Sequence, residues 1–537
     1  MLVSQLGMAL AVHMSGAMRP VTVKSSVYLL AVALVALAVV AVAYALFARK
    51  GAGLFVLAGI CLLAVVRSFL SPIHSSEGEL YIRYPSLAAI LVVELPAVRL
   101  LQGKGQRDRF RLSSPRSVES IFALLALLGG LLVSLMVPVG SYYSWDDETH
   151  YQDTIYLSEN IYAAFSEADI RTIYDPPIEP YDFQLHTENF SQLNSQDDGD
   201  KVIIIENIKA FFPTKIAYFP GALAHWIGRI LNLDFPVRYY MGRMANVLLY
   251  VLVMYFAIRR LDRGKLLLAI LGLSPTMLFL SGNYSYDPWV FAFSALSFAY
   301  FFHALETPEE KLTDRELVIM VLAMFVAFLP KQPCEFLLLF LLLMPREKFR
   351  DARQHRLFVL SVLALGLLAL AFTYATSFAI EDPADDRTGA GNISAISQIA
   401  FIMSDPAGFA DLLCSFLKSY LSPASASDYF TRFGQMGTIP GIGHLLIAAV
   451  CACAAFFGSA GRKETLLARH FTIRIFGLLL FLMMAAALAV LFYLVFTPVG
   501  AGEILGCQPR YLYPMLFPFY YLVFGGWLEA SHHRSRV

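Results

Sequence analysis

Apolar runs about 20 residues long recur along the chain, and an α-helix needs this length to cross a bilayer. We predict spans over 27–48, 52–71, 118–139, 239–258, 264–281, 286–304, 356–380, 438–458, 473–496 and 511–528. The run 315–345 is broken by two prolines around Lys331, so it predicts two short helices that meet there. The stretch 83–101 contains two charges and is either a further span or a surface helix. The predicted fold class is therefore all-α and polytopic, with about 12 or 13 transmembrane helices.

Composition supports a bilayer as the solvent for much of this chain. Of its 537 residues, 58% are hydrophobic and only 15% are charged, against about 25% charged in typical soluble domains. This balance excludes a disordered chain and an ordinary soluble enzyme. The 41 basic and 41 acidic residues cancel, so no basic field indicates a nucleic-acid partner.

Clusters of Lys and Arg predict the orientation, because short basic loops face the cytoplasm. If the basic segments 102–116, 259–265, 346–356, 462–474 and 532–536 are all cytoplasmic, the spans from 118 onward alternate without conflict. The side taken by residues 1–26 stays open. The run 27–48 is too long for a cleaved signal peptide, so we expect a multi-pass protein of the plasma membrane.

The orientation predicts three parts of the chain. Residues 1–117 form an N-terminal membrane extension of two or three helices with a basic loop, 118–530 form the main transmembrane domain, and 531–537 form a cytoplasmic tail. Two long outer loops, 140–238 and 381–437, belong to the main domain, and long loops are often functional. The first contains a broken apolar stretch, 216–232, which predicts a re-entrant or interfacial helix. The second contains an amphipathic helix candidate, 405–421.

An acidic run follows the span 118–139 directly and contains Asp146, Asp147, Glu148 and His150. Crowded carboxylates raise the pKa of at least one of them. A carboxylate here could take the proton of a hydroxyl acceptor, and the run could also hold a divalent cation. No metal or other cofactor is required by the sequence. The alternative is a hydrated loop whose acids favour a helix N-terminus.

Three further segments carry polar residues to the predicted outer face. Tyr286 and Asp287 lie in a tight turn before a span, where Asp287 could instead simply cap the helix. Lys331 lies at the break between two short helices, where a Lys either reaches the interface or meets an anion. The segment with Gln508, Arg510 and Tyr511 precedes the last span.

A lone outer Arg such as Arg510 suits bidentate binding of a phosphate, or interfacial anchoring. His225 and Arg229 in the stretch 216–232 give a weaker signal of the same kind. Motifs for nucleotide binding or a serine nucleophile elbow do not occur in the sequence, so we do not expect ATP-driven transport by this chain alone.

Taken in order, these motifs resemble the GT-C superfamily of polytopic glycosyltransferases, and within it a bacterial family of predicted membrane proteins of unknown function. The shared features are an acidic pair with a following His, a small turn ending in Asp287, a Lys-Pro break at Lys331, and a late Gln-x-Arg-Tyr at Gln508 to Tyr511. The acidic pair is Asp146-Asp147 if His150 fixes the register. It is Asp147-Glu148 if the closer spacing of the protein O-mannosyltransferases applies.

The resemblance implies an inverting glycosyltransferase that takes its sugar from a polyprenyl-phosphate-linked donor. Its acceptor would be an envelope glycan, lipid or protein on the outer face of the membrane. Asp146 or Asp147 would be the base, Arg510 and Lys331 would bind the phosphate, and Asp287 and His150 would orient the acceptor or the base. A transporter or flippase of a lipid-linked glycan is the alternative, and a structural partner without chemistry is a third class.

Overall fold

A computed structural model of the chain describes residues 116–137, 144–158, 164–165, 202–203, 212–378, 393–422, 425, 429–434, 437–438, 443–458, 466–469 and 471–525. The predictions for 27–48, 52–71, 83–101 and 531–537 lie outside the described residues. The first part of the fold contains α1 (Arg116–Met136), α2 (Asp147–Ser158), β1 (Ala164–Phe165), β2 (Val202–Ile203), α3 (Phe219–Ile230), α4 (Phe235–Arg260), α5 (Lys265–Gly272), α6 (Pro275–Ser281), α7 (Asp287–Glu306) and α8 (Asp314–Phe328). The second part contains α9 (Leu337–Leu341), α10 (Ala352–Phe378), α11 (Ala395–Ser404), α12 (Pro406–Tyr420), α13 (Gly443–Gly458), α14 (Leu466–Arg469), α15 (Phe471–Val495) and α16 (Tyr513–Phe524).

The protein is a polytopic helical membrane protein, as predicted. Among the described residues, α4, α7, α15 and the part Ala352–Ala371 of α10 are long and apolar enough to cross a membrane. The pair α11 and α12, bent by 108°, would be a fifth such element. The strands β1 and β2 form one short antiparallel pair and leave the all-α class unchanged. The count of 12 or 13 spans for the whole chain stays a prediction.

Helix α7 is the centre of the described bundle. Its sequence is apolar on every side, which is the pattern of a helix enclosed by other helices. Its apolar window is 72% buried, against 22% for the window of α10. It packs against α4, α8 and α16. The two ends of α7 therefore lie where several other helices begin or end.

The structure corrects the prediction of one continuous span over 264–281. The chain forms two short helices there, α5 and α6, with a break at Leu273 and Ser274. Pro275 has no backbone N–H and disfavours the helical conformation of the residue before it. The Ser274 hydroxyl instead accepts a hydrogen bond from the backbone N–H of Met277 and begins the new helix. The apolar run concealed this boundary because both halves are buried.

Two other elements agree with their predictions. The run 315–345 forms α8, a 3₁₀ turn over Gln332–Phe336, and α9, so two short helices meet at the break. The stretch 216–232 contains α3, a helix of 12 residues, which is too short to span about 30 Å of hydrocarbon. A proline lies in the first turn of α3 and another in the 3₁₀ turn before α9. Proline has no backbone N–H, so regular helical hydrogen bonding is interrupted at both places.

Candidate functional site

Four helix ends meet at one end of the bundle. Asp287 is the first residue of α7, Lys331 follows α8, and Arg510 lies in the 3₁₀ helix Pro509–Leu512 between α15 and α16. The acidic segment at the start of α2 is the fourth. Helix connectivity explains the meeting: α8 and α15 end, and α7 begins, at this end of the bundle. We call the group Asp146, Asp287, Lys331 and Arg510 the charged cluster.

Asp287 is the centre of the charged cluster. Lys331 Nζ donates to its Oδ1 at 2.6 Å, and Arg510 Nη1 donates to its Oδ2 at 3.0 Å. The side chains of Lys331, Arg510 and Asp287 are 4–9% exposed. A buried charge is stable only when it is paired, and one carboxylate here neutralises two cations only in part. The buried part of the charged cluster, without the 46%-exposed Asp146, therefore carries one net positive charge, and an anion beside Arg510 would meet it.

Aromatic rings hold the two cations in place. Lys331 Nζ lies 4.0 Å from the ring centroid of Tyr511 and 5.3 Å from that of Tyr286. The Arg510 guanidinium lies 4.2 Å from the indole of Trp145. Such contacts favour a cation over a ring face. Arg510 Nε is buried and has no hydrogen-bond partner among the described residues, so the guanidinium keeps an unused donor.

The two adjacent acids of the first outer segment lie in different surroundings. Asp146 has a left-handed backbone with φ of 53°, its side chain is 46% exposed, and its Oδ2 lies 3.7 Å from Arg510 Nη2. Asp147 is 2% exposed, and its carboxylate accepts the backbone N–H of Ser144 at 3.0 Å. A non-glycine residue in this conformation costs energy and occurs often at functional sites. Asp146 is thus the accessible carboxylate, and Asp147 fixes the start of α2.

His150 lies one turn further along α2 and is buried. Its Nδ1 is 2.7 Å from the Tyr218 hydroxyl, and its ring meets Tyr286 edge-on at 4.8 Å between centroids. Burial lowers the pKa of His150 to about 4, although the charge of Asp146 opposes this. The imidazole is therefore neutral near pH 7 and can exchange one hydrogen bond with Tyr218.

A buried arginine anchors the end of α1 from which the acidic segment continues. Arg243 of α4 is fully buried and donates from Nη1 to the carbonyl oxygen of Val137 at 2.7 Å. A second donor, Nη2, meets the hydroxyl of Tyr239 at 3.1 Å. Cations at a helix C-terminus satisfy carbonyls and complement the helix dipole. The C-terminal end of α1 is thereby linked to α4.

The structure places the remaining predicted residues around or away from the charged cluster. Tyr511 and Tyr286 flank it, whereas Gln508 contributes its backbone carbonyl, which accepts the Tyr420 hydroxyl at 2.8 Å. Glu148 lies in the first turn of α2. His225 is instead buried on α3 beside Tyr151, 3.4 Å away.

Arg229 lies on α3 with His225. The pKa of the His225 imidazole is lowered most by burial, then by the charge of Arg238 and then by that of Arg229. Among the described residues, the ion pairs of Asp287, Lys331 and Arg510 include neither His225 nor Arg229. Trp145, Tyr218 and Arg432 were not among the site residues predicted from the sequence. The Arg432 guanidinium lies 5.8 Å from the Trp145 ring. For Trp145, the signal in the sequence was its place directly before the acidic run.

A groove opens beside the charged cluster between α4 and α7. It is shallow and includes Ser285 and Pro288, close in sequence to Asp287. Its walls are mainly apolar, with Leu249, Val253 and Phe293 among them. Ser285 and Pro288 thus flank Asp287, the first residue of α7, along the chain.

Residues 187–518, more than half of the chain, match the family described as a predicted membrane protein family, DUF2142. The chain belongs to this family of predicted membrane proteins. The matched range includes Asp287, Lys331 and Arg510 but begins after the acidic segment with Asp146. No curated protein and no solved structure matched the chain.

Proposed function

We propose that the protein is an inverting membrane glycosyltransferase that uses a polyprenyl-phosphate-linked sugar. The acceptor would be an envelope glycan, lipid or protein on the outer face of the plasma membrane. One observation carries this proposal: Lys331 and Arg510 are buried around a single carboxylate, Asp287, with the accessible Asp146 beside them. This arrangement offers cations for a phosphate and a base for a hydroxyl within one site.

The charge of the cluster suits the reaction. Asp146 takes the proton of the acceptor hydroxyl, and the acceptor oxygen forms a bond to the anomeric carbon. The bond between that carbon and the phosphate oxygen breaks, and its electron pair stays on the leaving polyprenyl phosphate. The phosphate gains one negative charge as Asp146 loses one, so the net charge near Arg510 does not change. Cations already in position stabilise such a transition state without reorganisation.

Arg510 is the residue we expect to bind the phosphate most directly. Its Nη1 is engaged by Asp287, but Nε has no partner and Nη2 lies 3.7 Å from Asp146, outside hydrogen-bond range. Nε and Nη2 form one edge of the guanidinium, which is the edge that binds a phosphate with two parallel hydrogen bonds. The first isoprenoid units would lie along the groove at Pro288, because its walls are mainly apolar and Pro288 directly follows Asp287 in the chain.

The test is sugar transfer in proteoliposomes with donor in the outer leaflet and acceptor outside, so that no translocation is needed. A panel of polyprenyl-phosphate sugars is assayed with wild type, Arg510→Lys and the matched control Arg350→Lys. Arg350 is an exposed arginine paired with Asp314. Arg510→Lys should lower the transfer rate at least about 100-fold, because a Lys cannot donate the two parallel bonds. Arg350→Lys should transfer normally.

The flippase is the competing outcome of the same experiment. If the wild type transfers no sugar but moves labelled lipid between leaflets, the protein is a flippase and not a glycosyltransferase. Arg510→Lys with normal transfer would remove Arg510 from the phosphate site. The gathering of the polar residues at one end of the bundle supports the transferase, because a flippase must carry the headgroup through the middle of the membrane.

A further inference from the structure

A second polar cluster lies at the opposite end of α7 from Asp287. It contains Asp262, in the turn after α4, and His303 and Glu306 in the last turn of α7. Helix α7 has 20 residues, so the two clusters are about 30 Å apart along its axis. One ligand atom of each of the three residues lies within 4.8 Å of the other two. The proposed transfer reaction uses none of them.

The geometry between His303 and Asp262 is unusual for a simple pair. His303 Nδ1 lies 3.2 Å from Asp262 Oδ2, yet this nitrogen is buried and makes no hydrogen bond of acceptable direction among the described residues. The two atoms are close without pointing at each other. Two ligands about 2.05 Å from a tetrahedral metal ion are about 3.3 Å apart. The observed separation is therefore the one that two ligands of a shared ion would have.

Glu306 is oriented by its neighbours as a ligand would be. Its Oε2 accepts the backbone N–H groups of Asp262 and Arg263, each at 3.1 Å, and its Oε1 accepts the hydroxyl of Tyr521. Hydrogen bonds of this kind fix the direction of a metal-binding carboxylate. A carboxylate has four lone-pair positions. Three of them accept these hydrogen bonds, so one remains for an ion.

Charge and access also favour a cation. Asp262 and Glu306 bring two carboxylates to within 4.8 Å of His303. The side chain of Asp262 is 48% exposed, so an ion can enter from solvent. His303, at 12% exposure, forms the inner wall. A site with one imidazole and two carboxylates matches the donor set of divalent first-row metals such as Zn²⁺.

We propose that Asp262, His303 and Glu306 bind one divalent transition-metal ion at the end of the bundle opposite the charged cluster. The basic segment 259–265 predicts that this end faces the cytoplasm. The ion would join the turn after α4 to the end of α7, and to α16 through Tyr521. Such an ion would stabilise the junction of three helices, in the way that structural metal sites do.

The experiment is a Co²⁺ titration of the full-length protein in detergent, followed by its visible absorption, with Zn²⁺ as competitor and with any affinity tag cleaved. Wild type is compared with His303→Gln, Tyr521→Phe and the control His355→Gln. His355 is a half-buried histidine that packs against Phe349, with 4.8 Å between ring centroids. The histidines of the tail are kept in every variant, so their binding is a constant background.

Wild type and His355→Gln should show the same tight site, and His303→Gln should lose at least about 100-fold in affinity. Tyr521→Phe, which removes only the orienting hydroxyl, should lose about 10-fold. Equal affinity in wild type and His303→Gln, or no spectral change in wild type, would overturn the proposal. If His303→Gln does not fold, Asp262→Asn on the exposed turn replaces it, with the same two outcomes. The titration involves no donor sugar, so its failure leaves the proposed transfer reaction untouched.

Discussion

Separate substitutions of the adjacent acids at the start of α2 test which carboxylate is the base. In Asp146→Asn the accessible carboxylate, 3.7 Å from Arg510, becomes a neutral amide that cannot take a proton. Loss of a general base costs a factor of about 10²–10⁴ in rate, which is about 3–5 kcal/mol of transition-state stabilisation. Because Asp146 is 46% exposed, the free energy of unfolding should change by less than about 0.5 kcal/mol.

The matched substitution Asp147→Asn should give the reverse result. Its carboxylate is buried and accepts the Ser144 N–H. An amide oxygen can keep this hydrogen bond but loses its charge at the N-terminus of α2. We expect a loss of about 1 kcal/mol in stability and a transfer rate within a few-fold of wild type.

The assay measures initial rates at saturating donor and acceptor, together with thermal unfolding midpoints of the purified variants in detergent. A large loss of rate in Asp147→Asn, with normal transfer by Asp146→Asn, would assign the base to the buried residue and refute the argument from exposure. Normal transfer by both variants would mean that neither carboxylate takes the proton.

Three further predictions concern stability. Asp287→Asn leaves Lys331 and Arg510 without their shared carboxylate, so unfolding in denaturant should become easier by about 3–5 kcal/mol; an unchanged midpoint would mean that water already solvates the cations. The pKa of His150 falls from 6.5 to about 4 on folding, so the unfolded chain binds more protons between these pH values and stability should fall as the pH falls from 6.5 to 4. His150→Gln should flatten that dependence in thermal unfolding, and parallel curves would contradict it. Gly242→Ala places a Cβ against the Tyr284 hydroxyl, closer than van der Waals contact allows, so it should destabilise by about 1–3 kcal/mol. A thermal midpoint equal to that of wild type would show that Tyr284 moves aside.

The sequence predicted where the charged residues would meet, but not how each one is used. Hydropathy and basic loops placed Asp287, Lys331 and Arg510 at one end of the bundle, because span ends are strong signals in a chain with few charges. The exposure of Asp146 and the burial of Asp147 accompany a left-handed backbone at Asp146, with φ of 53°, which no pattern in the sequence predicts. The roles of these residues in transfer stay predictions.

The sequence also did not predict the contacts between distant segments. The packing of Trp145 on Arg510 joins residues from opposite parts of the chain, and hydropathy carries no information on such pairs. The division of 264–281 was different, because Ser274 followed by Pro275 is a recognisable helix start. The prediction of one continuous span gave more weight to the apolar character of both halves than to this helix start.

The charged cluster is assembled from segments that are made at very different times. Asp287 and Lys331 are 44 residues apart, whereas Asp287 and Arg510 are 223 apart. At about 5–20 residues per second, Asp287 waits roughly 2–9 s for its first cation and roughly 11–45 s for its second. Until Arg510 is made, Asp287 is therefore paired with Lys331 alone, and the charged cluster lacks its second cation. A chain truncated before Arg510 would permanently lack that cation and its hydrogen bond to Asp287 Oδ2, which distinguishes an aborted chain chemically from a finished one.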